Sequence, residues 1–214
     1  MSEIKFTVDE KTGRLDVTID TARLHLESIN TTYCDDIVKL CNDPVVMMKN
    51  ADGLPWSIED TKHMVVYWAA QWNRNNPLSD FAVSKNDGGK EFIGIVGLVH
   101  TPYPGEADVG YLFNKSAWGQ RYGTEAVSAL VKEYVPEIIK HNYQIGGEPL
   151  SVLTADAHTD NVASVKILEG VGLKKVAEKN KYGYPHFFFS MKTADLVKPT
   201  ISAEKDFQPT RLSA

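Results

Sequence analysis

Cysteine is scarce in this chain: among 214 residues there are two, Cys34 and Cys41. They lie about two helical turns apart in a stretch with helical spacing, too far for an unstrained disulfide. They read as small buried hydrophobes rather than as a reactive thiol or a metal site, and no metal is expected. Positive charge is in deficit as well. Lys and Arg number 23 against 28 Asp and Glu, for a net charge of −5 and a pI near 5.7. That balance argues against a basic stripe for nucleic acid. No window approaches the roughly 20 apolar residues of a membrane span. The opening MSEIKFTVDE lacks a basic region followed by an apolar stretch. A soluble, cytoplasmic protein without nucleic-acid or membrane partners is expected. Internal repeats and a second domain are also absent. What is present is 43% apolar residues with 4 Trp, 9 Tyr and 8 Phe, enough for one domain with a sizeable core.

Ile4, Phe6 and Val8, then a DEKTG turn, then Leu15, Val17 and Ile19 give the alternation of a β-hairpin added at a sheet edge. RLHLESI predicts a further strand and CDDIVKLCN a helix that Pro44 stops. VVMMKNADGLPW reads as an irregular, mobile segment, after which Ser57 caps a helix carrying Met64, Val65, Trp68 and Trp72 on one stripe. DFAVSK and FIGIVGLVH form a hairpin, and ADVGYLFN a strand in which Gly110 marks a bulge or a close backbone approach. Val127, Leu130, Val131, Tyr134, Val135 and Ile138 form the stripe of an amphipathic helix that Pro136 should kink or end. LSVLTA then reads as a buried strand, DNVASVKILEG as a helix capped by Asp160 and closed by Gly170 or Gly172, and HFFFSMK as the last strand. The expected fold is α+β: a mixed, mostly antiparallel central sheet with helices on both faces. Residues 1–20 are a hairpin extension, 21–192 the domain and 193–214 a C-terminal tail.

One passage carries chemistry. In ADVGYLFNKSAWGQRYGTEAV a strand ends at Phe113, and Gly119 and Gly123 flank the start of a long helix. First-turn amides have no internal partners, so together with the helix dipole they form an anion site. Gln120 and Arg121 can add donors. The plain alternative is an ordinary helix start with turn glycines.

This segment resembles the phosphate-binding loop of the GNAT superfamily of acetyl-CoA-dependent N-acyltransferases, especially its ribosomal-protein-alanine acetyltransferase branch. TARLHL, EFIGIVGL, ADVGYLF, WGQRYGTEA and NVASVKILEGVGL resemble successive elements of that branch, from about Thr21 to Lys192. The resemblance implies acetyl-CoA as acyl donor, held by Leu112, Phe113, Gln120, Arg121, Tyr122, Gly123, Thr124, Asn161 and Ser164. It implies direct attack of a primary amine on the thioester through a tetrahedral intermediate, with a backbone N–H near the Gly110 bulge polarising the carbonyl. Arg121 stands where most members place a glycine. Leu168 stands where many place a tyrosine that protonates the departing thiolate, which leaves Ser164 as the hydroxyl on that helix face. For the base the candidates are Asp156, His158, Glu106 and Asp108, or water. An α-amino acceptor, with a pKa of about 7.7 to 8.0, demands less of that base than a lysine near 10.4. The acceptor, a protein N-terminus or a small-molecule amine, falls to the variable pieces VMMKNADGLPW, TPYPGE, EKNKYGYPH and the Trp68–Trp72 helix. The protein is expected as a monomer or homodimer. Two other readings stay open, a catalytically silent acyl-CoA-binding or sensing domain and a nucleotide-holding phosphate-binding protein.

Overall fold

The computed structural model describes residues 2–196. The strands are β1 (Glu3–Val8), β2 (Leu15–Asp20), β3 (Leu24–Ser28), β4 (Asp80–Lys85), β5 (Phe92–His100), β6 (Glu106–Phe113), the short pair β7 (Gln144–Ile145) and β8 (Glu148–Pro149), β9 (Val152–His158), β10 (Lys174–Lys181) and β11 (Tyr184–Lys192). The helices are α1 (Cys34–Asn42), α2 (Pro44–Met47), α3 (Ile58–Asn73), α4 (Tyr122–Ala129), α5 (Val135–Lys140) and α6 (Val162–Val171). Nine strands form one sheet in the order β1-β2-β3-β4-β5-β6-β9-β11-β10. Every neighbouring pair is antiparallel except β6 and β9, which run parallel. The mixed α+β architecture is thus the one the sequence pattern suggests, and β1–β2 extends one edge of it.

Two apolar clusters cover the two faces. The larger lies under α4, α5 and α6 and includes Phe81, Val127, Tyr134, Leu168 and Phe189. The smaller joins Ile37, Leu40 and Cys41 of α1 to Val65 and Trp68 of α3 over Ala82 and Ile95. Central strands covered on both sides read as nearly continuous apolar runs, as β4 and β5 do. Trp72 is fully buried, edge-on to Phe81 at 5.0 Å, and its indole donates to the Asp80 carbonyl at 2.9 Å. The tryptophan stripe is therefore core, as helical spacing of aromatics most often signifies.

Several local readings are corrected. Asp43 accepts from the Val45 N–H at 2.8 Å and caps α2, with Pro44 in its first turn, so the proline starts a helix as well as ending one. Pro136 does not end its helix, which runs on to Lys140. A π turn at Leu130–Tyr134 joins α4 to α5, and the Val135 N–H reaches back to Leu130 O, so the register is already shifted where the proline lacks a donor. Asn161, not Asp160, caps α6 by accepting from the Ser164 N–H at 3.2 Å. Asp160 instead pairs with Lys49 at 3.1 Å. Gly172, with φ of 107°, closes the helix. KKVAEKNK is a full edge strand, β10, that the sequence reading passed over. Of the tail, Thr193–Asp195 forms one turn tied by Thr193 Oγ1 to the Leu150 carbonyl at 2.9 Å. Residues 197–214 lie outside the described residues.

Asp80 is buried opposite Gly97, where any Cβ would stand 2.6 Å from its Oδ1. Burial pushes its carboxyl up to about 7, whereas the unfolded chain releases that proton near 3.9. Between these values the folded state holds a proton that the unfolded state has lost. The contribution to stability is therefore complete below about pH 4 and disappears as pH rises towards 7. Urea unfolding across that window should show stability falling with pH, and Asp80→Asn should flatten the slope. Identical slopes in the two proteins would remove Asp80 as the cause.

Candidate active site

β6 and β9 pair for only three residues, Glu106–Asp108 against Val152–Thr154. Thr154 Oγ1 donates to Asp108 Oδ1 at 2.7 Å at the vertex. Beyond it the strands part, and a cavity of about 680 Å³ fills the gap. The expected bulge at Gly110 is absent: the β5–β6 register runs unbroken from Gly94–Phe113 to His100–Ala107. A Cβ on Gly110 would meet only Val99 Cγ2, at an ordinary 3.7 Å. Main chain on the β9 side of β6 is freed by divergence of the strands, not by an extra residue.

At one end of the cavity lies the start of α4, formed by Arg121, Tyr122, Gly123 and Thr124. No side chain caps this helix, so its first amides remain available to an anion. Arg121 itself sits in the left-handed region at φ 64°, ψ 14°. The position therefore needs the conformation that glycine adopts freely, and arginine holds it under strain. Arg23 braces the loop from β3's approach: Nη1 donates to Gln120 O at 3.0 Å, Nε donates to Glu125 at 2.7 Å, and the guanidinium covers the Tyr122 ring at 4.7 Å. Gln120 does not join the site. Its amide donates to the Ser116 carbonyl at 2.7 Å, and it does not line the cavity.

Leu112, Phe113, Asn161 and Ser164 do line it. Leu168 is buried in the large cluster. Ser164 Oγ is 2.6 Å from the hydroxyl of Tyr111, a cavity residue absent from the sequence reading. Burial pushes the Tyr111 phenol up to about 12, with Ser164 opposing, so the phenol is a proton donor at neutral pH. Tyr111 and Ser164 are 53 residues apart, and only the strand's alternation hinted that Tyr111 faces the helices.

Asp108, Thr154 and Asp156 occupy the opposite face of the parting strands, with His158 beyond them. Burial raises the Asp108 carboxyl, against the Thr154 hydrogen bond that lowers it. Asp156 is paired with Lys181 Nζ at 2.5 Å. Burial works against the Lys181 ammonium, but the hydrogen bond and charge of Asp156 outweigh it and hold the group above its ordinary value. His158 is buried, with Nε2 3.0 Å from Ala51 O. Glu106 lies at the far end of β6, away from the cavity. Of the variable pieces, residues 45–51 and the β10–β11 tip reach the cavity and TPYPGE does not. Among tryptophans, Trp118 lines it, with its indole donating to Phe113 O at 2.8 Å.

A family model described as an acetyltransferase (GNAT) domain matches residues 23–174. An N-acetyltransferase from Bacillus subtilis strain 168, YjdG, is 24% identical over 180 residues, 82% of this chain and 99% of its own. A ribosomal-protein-S5-alanine acetyltransferase from Vibrio fischeri superposes with a TM-score of 0.66 at 18% identity, over 86% of this chain and 100% of that one. RimL, a ribosomal L7/L12 α-N-protein acetyltransferase solved with coenzyme A, gives 0.63 at 14% identity, over 80% and 95%. No described helix is long and apolar enough to cross a membrane.

The strain at Arg121 has a measurable consequence. Arg121→Gly should raise stability by about 1 kcal/mol, the left-handed cost of roughly 1–2 kcal/mol less part of glycine's larger entropy loss. Urea midpoints at unchanged m-value test this, and a lower midpoint would show that the Arg121 side chain stabilises the loop by more than its backbone strains it.

Proposed function

The chain belongs to the GNAT acetyltransferase family, and from that premise we propose that it transfers the acetyl group of acetyl-CoA to the α-amino group of a protein N-terminus. The observation that carries the reading is the arrangement around one cavity of an uncapped helix start, a hydroxyl pair on one side of the parted strands and carboxylates on the other. Structural relatives named for ribosomal-protein amines support a protein acceptor. An α-amino group near pKa 7.7 to 8.0 is partly neutral at pH 7 and needs only modest help to lose its proton.

The α4 amides with Arg121 hold the donor's pyrophosphate. Asn161 spends its side-chain oxygen on the α6 cap, which leaves its NH₂ for the pantetheine arm. Main-chain N–H groups freed beyond Asp108 polarise the thioester carbonyl, as oxyanion donors do. Ser164 protonates the leaving thiolate, and Tyr111, protonated at neutral pH, restores that proton across their 2.6 Å contact. The amine's own proton goes to the polar wall that includes Asp108, Asp156 and His158.

Thiol release from acetyl-CoA with a panel of peptides and small amines tests the reading. Ser164→Ala should lower kcat at least tenfold with a much smaller change in acetyl-CoA affinity. Tyr111→Phe should lower it less, because the serine keeps its own proton for one turnover. Gly123→Asp should abolish thermal stabilisation by acetyl-CoA. Its added Cβ would meet Ile167 Cδ1 at 3.2 Å, and its carboxylate would repel phosphate at the helix start. Stabilisation without thiol release from any amine would instead identify a silent acyl-CoA-binding domain.

A further inference from the structure

His186, on β11, is only 1% exposed yet borders the cavity. Its Nδ1 lies 2.9 Å from the Tyr184 carbonyl. A carbonyl can only accept, so Nδ1 carries the proton, and in the neutral ring Nε2 is left as a bare acceptor. Nε2 has no hydrogen-bond partner among the described residues. Asp156 Oδ2 lies 3.7 Å away and is also an acceptor. Lys181 holds the other oxygen of Asp156 at 2.5 Å and fixes the carboxylate's orientation. Two acceptors thus lie 3.7 Å apart among residues that line the cavity, with no hydrogen bond between them. The His158 ring meets the His186 ring edge-on at 4.3 Å, and by the same reasoning His158 Nε2 donates to the Ala51 carbonyl and accepts nothing.

We propose that His186 Nε2 is the base that takes the proton from the acceptor amine, with Asp156 Oδ2 stabilising the imidazolium that forms. This rests on the acetyl-transfer reading and names the base within it. The amine lone pair forms the new N–C bond and the C–S pair departs on sulfur, which takes a proton from Ser164. The surplus proton on nitrogen passes to Nε2 and then to solvent, and solvent returns a proton to Tyr111 once Tyr111 has restored Ser164, so no other reactant is needed. The groups facing the ring are Asp156 and His158 on β9, Lys181 and the exposed Lys179 on β10, Tyr182 in the turn at 6.5 Å and Tyr184 on β11.

Nitrogen-detected NMR of the wild-type chain should find His186 in the Nδ1–H tautomer at neutral pH. Its titration midpoint should match the acidic limb of kcat/KM, measured with a peptide amine whose own ionisation is divided out. A proton on Nε2, or a ring that does not titrate across that limb, would overturn the assignment. His186→Gln should lower kcat/KM on the order of 10²-fold or more, keep acetyl-CoA affinity within about twofold, and lose the limb. Asp156→Asn should keep the limb and lower kcat/KM less than His186→Gln does, since the imidazole that takes the proton remains. Wild-type rates in His186→Gln, or a limb abolished in Asp156→Asn, would each refute the proposal. Should His186→Gln fail to fold, the wild-type tautomer and titration decide alone. A wild type that binds acetyl-CoA but acetylates no amine defeats the acetyl-transfer reading and this base with it. Turnover whose pH limb ignores His186 defeats only the base.

Discussion

The parting of β6 from β9 after three paired residues is the constraint on which the rest of the structure depends. Parallel neighbours cannot be joined by a tight turn, so the chain must leave the end of β6, cross over, and return. The crossover here is α4, the π turn, α5 and the β7–β8 pair. A crossover helix begins where its strand ends, which puts its uncapped first turn at the open end of the gap. The uncapped helix start and the cavity therefore arise from one topological event. The Thr154–Asp108 hydrogen bond sets where the gap starts. Backbone groups left unpaired beyond that point would be costly in a dry interior and are tolerable because they face a cavity.

Strand periodicity then divides the chemistry. Along β6 and β9, neighbouring residues point to opposite faces, so Tyr111 meets Ser164 on the α6 side while Asp108 and Asp156 face the other way. The hydroxyl pair and the carboxylates are kept apart by the sheet itself, and they meet only through the gap. Lys181 and His186 reach the acceptor side because β11 lies between β9 and β10 in the sheet.

The elements legible from sequence were those with local signals. Alternation in residues 4–19, the Ser57 cap, and the glycine-flanked helix start at Gly119–Gly123 each need only neighbours in the chain. β10 was missed because KKVAEKNK lies at an edge and is mostly exposed, so no apolar alternation marks it. The π turn was missed because Pro136 carries the usual signature of a break, and the shifted register that admits it leaves no pattern. The residues around the cavity divide on the same ground. Ser164, Asn161 and the α4 loop lie in passages with helix-start chemistry, whereas Tyr111, Arg23 and His186 acquire meaning only from partners brought close by the fold. Arg23 and Gln120, for instance, are 97 residues apart. The Gln120 side chain is turned from the cavity because its amide finds a local acceptor, the Ser116 carbonyl.

The sheet order also bears on how the molecule comes apart. β1 to β6 are consecutive antiparallel neighbours, and β9 to β11 form a second ladder of their own. Between these two blocks the ladder is three residue pairs long, as short as any in the sheet. Cooperative units separate where few contacts join them, so the seam between the halves runs through the cavity. A molecule seated there touches both blocks, and its binding energy acts as cohesion between two parts of the chain that are otherwise joined in the sheet by a single short seam.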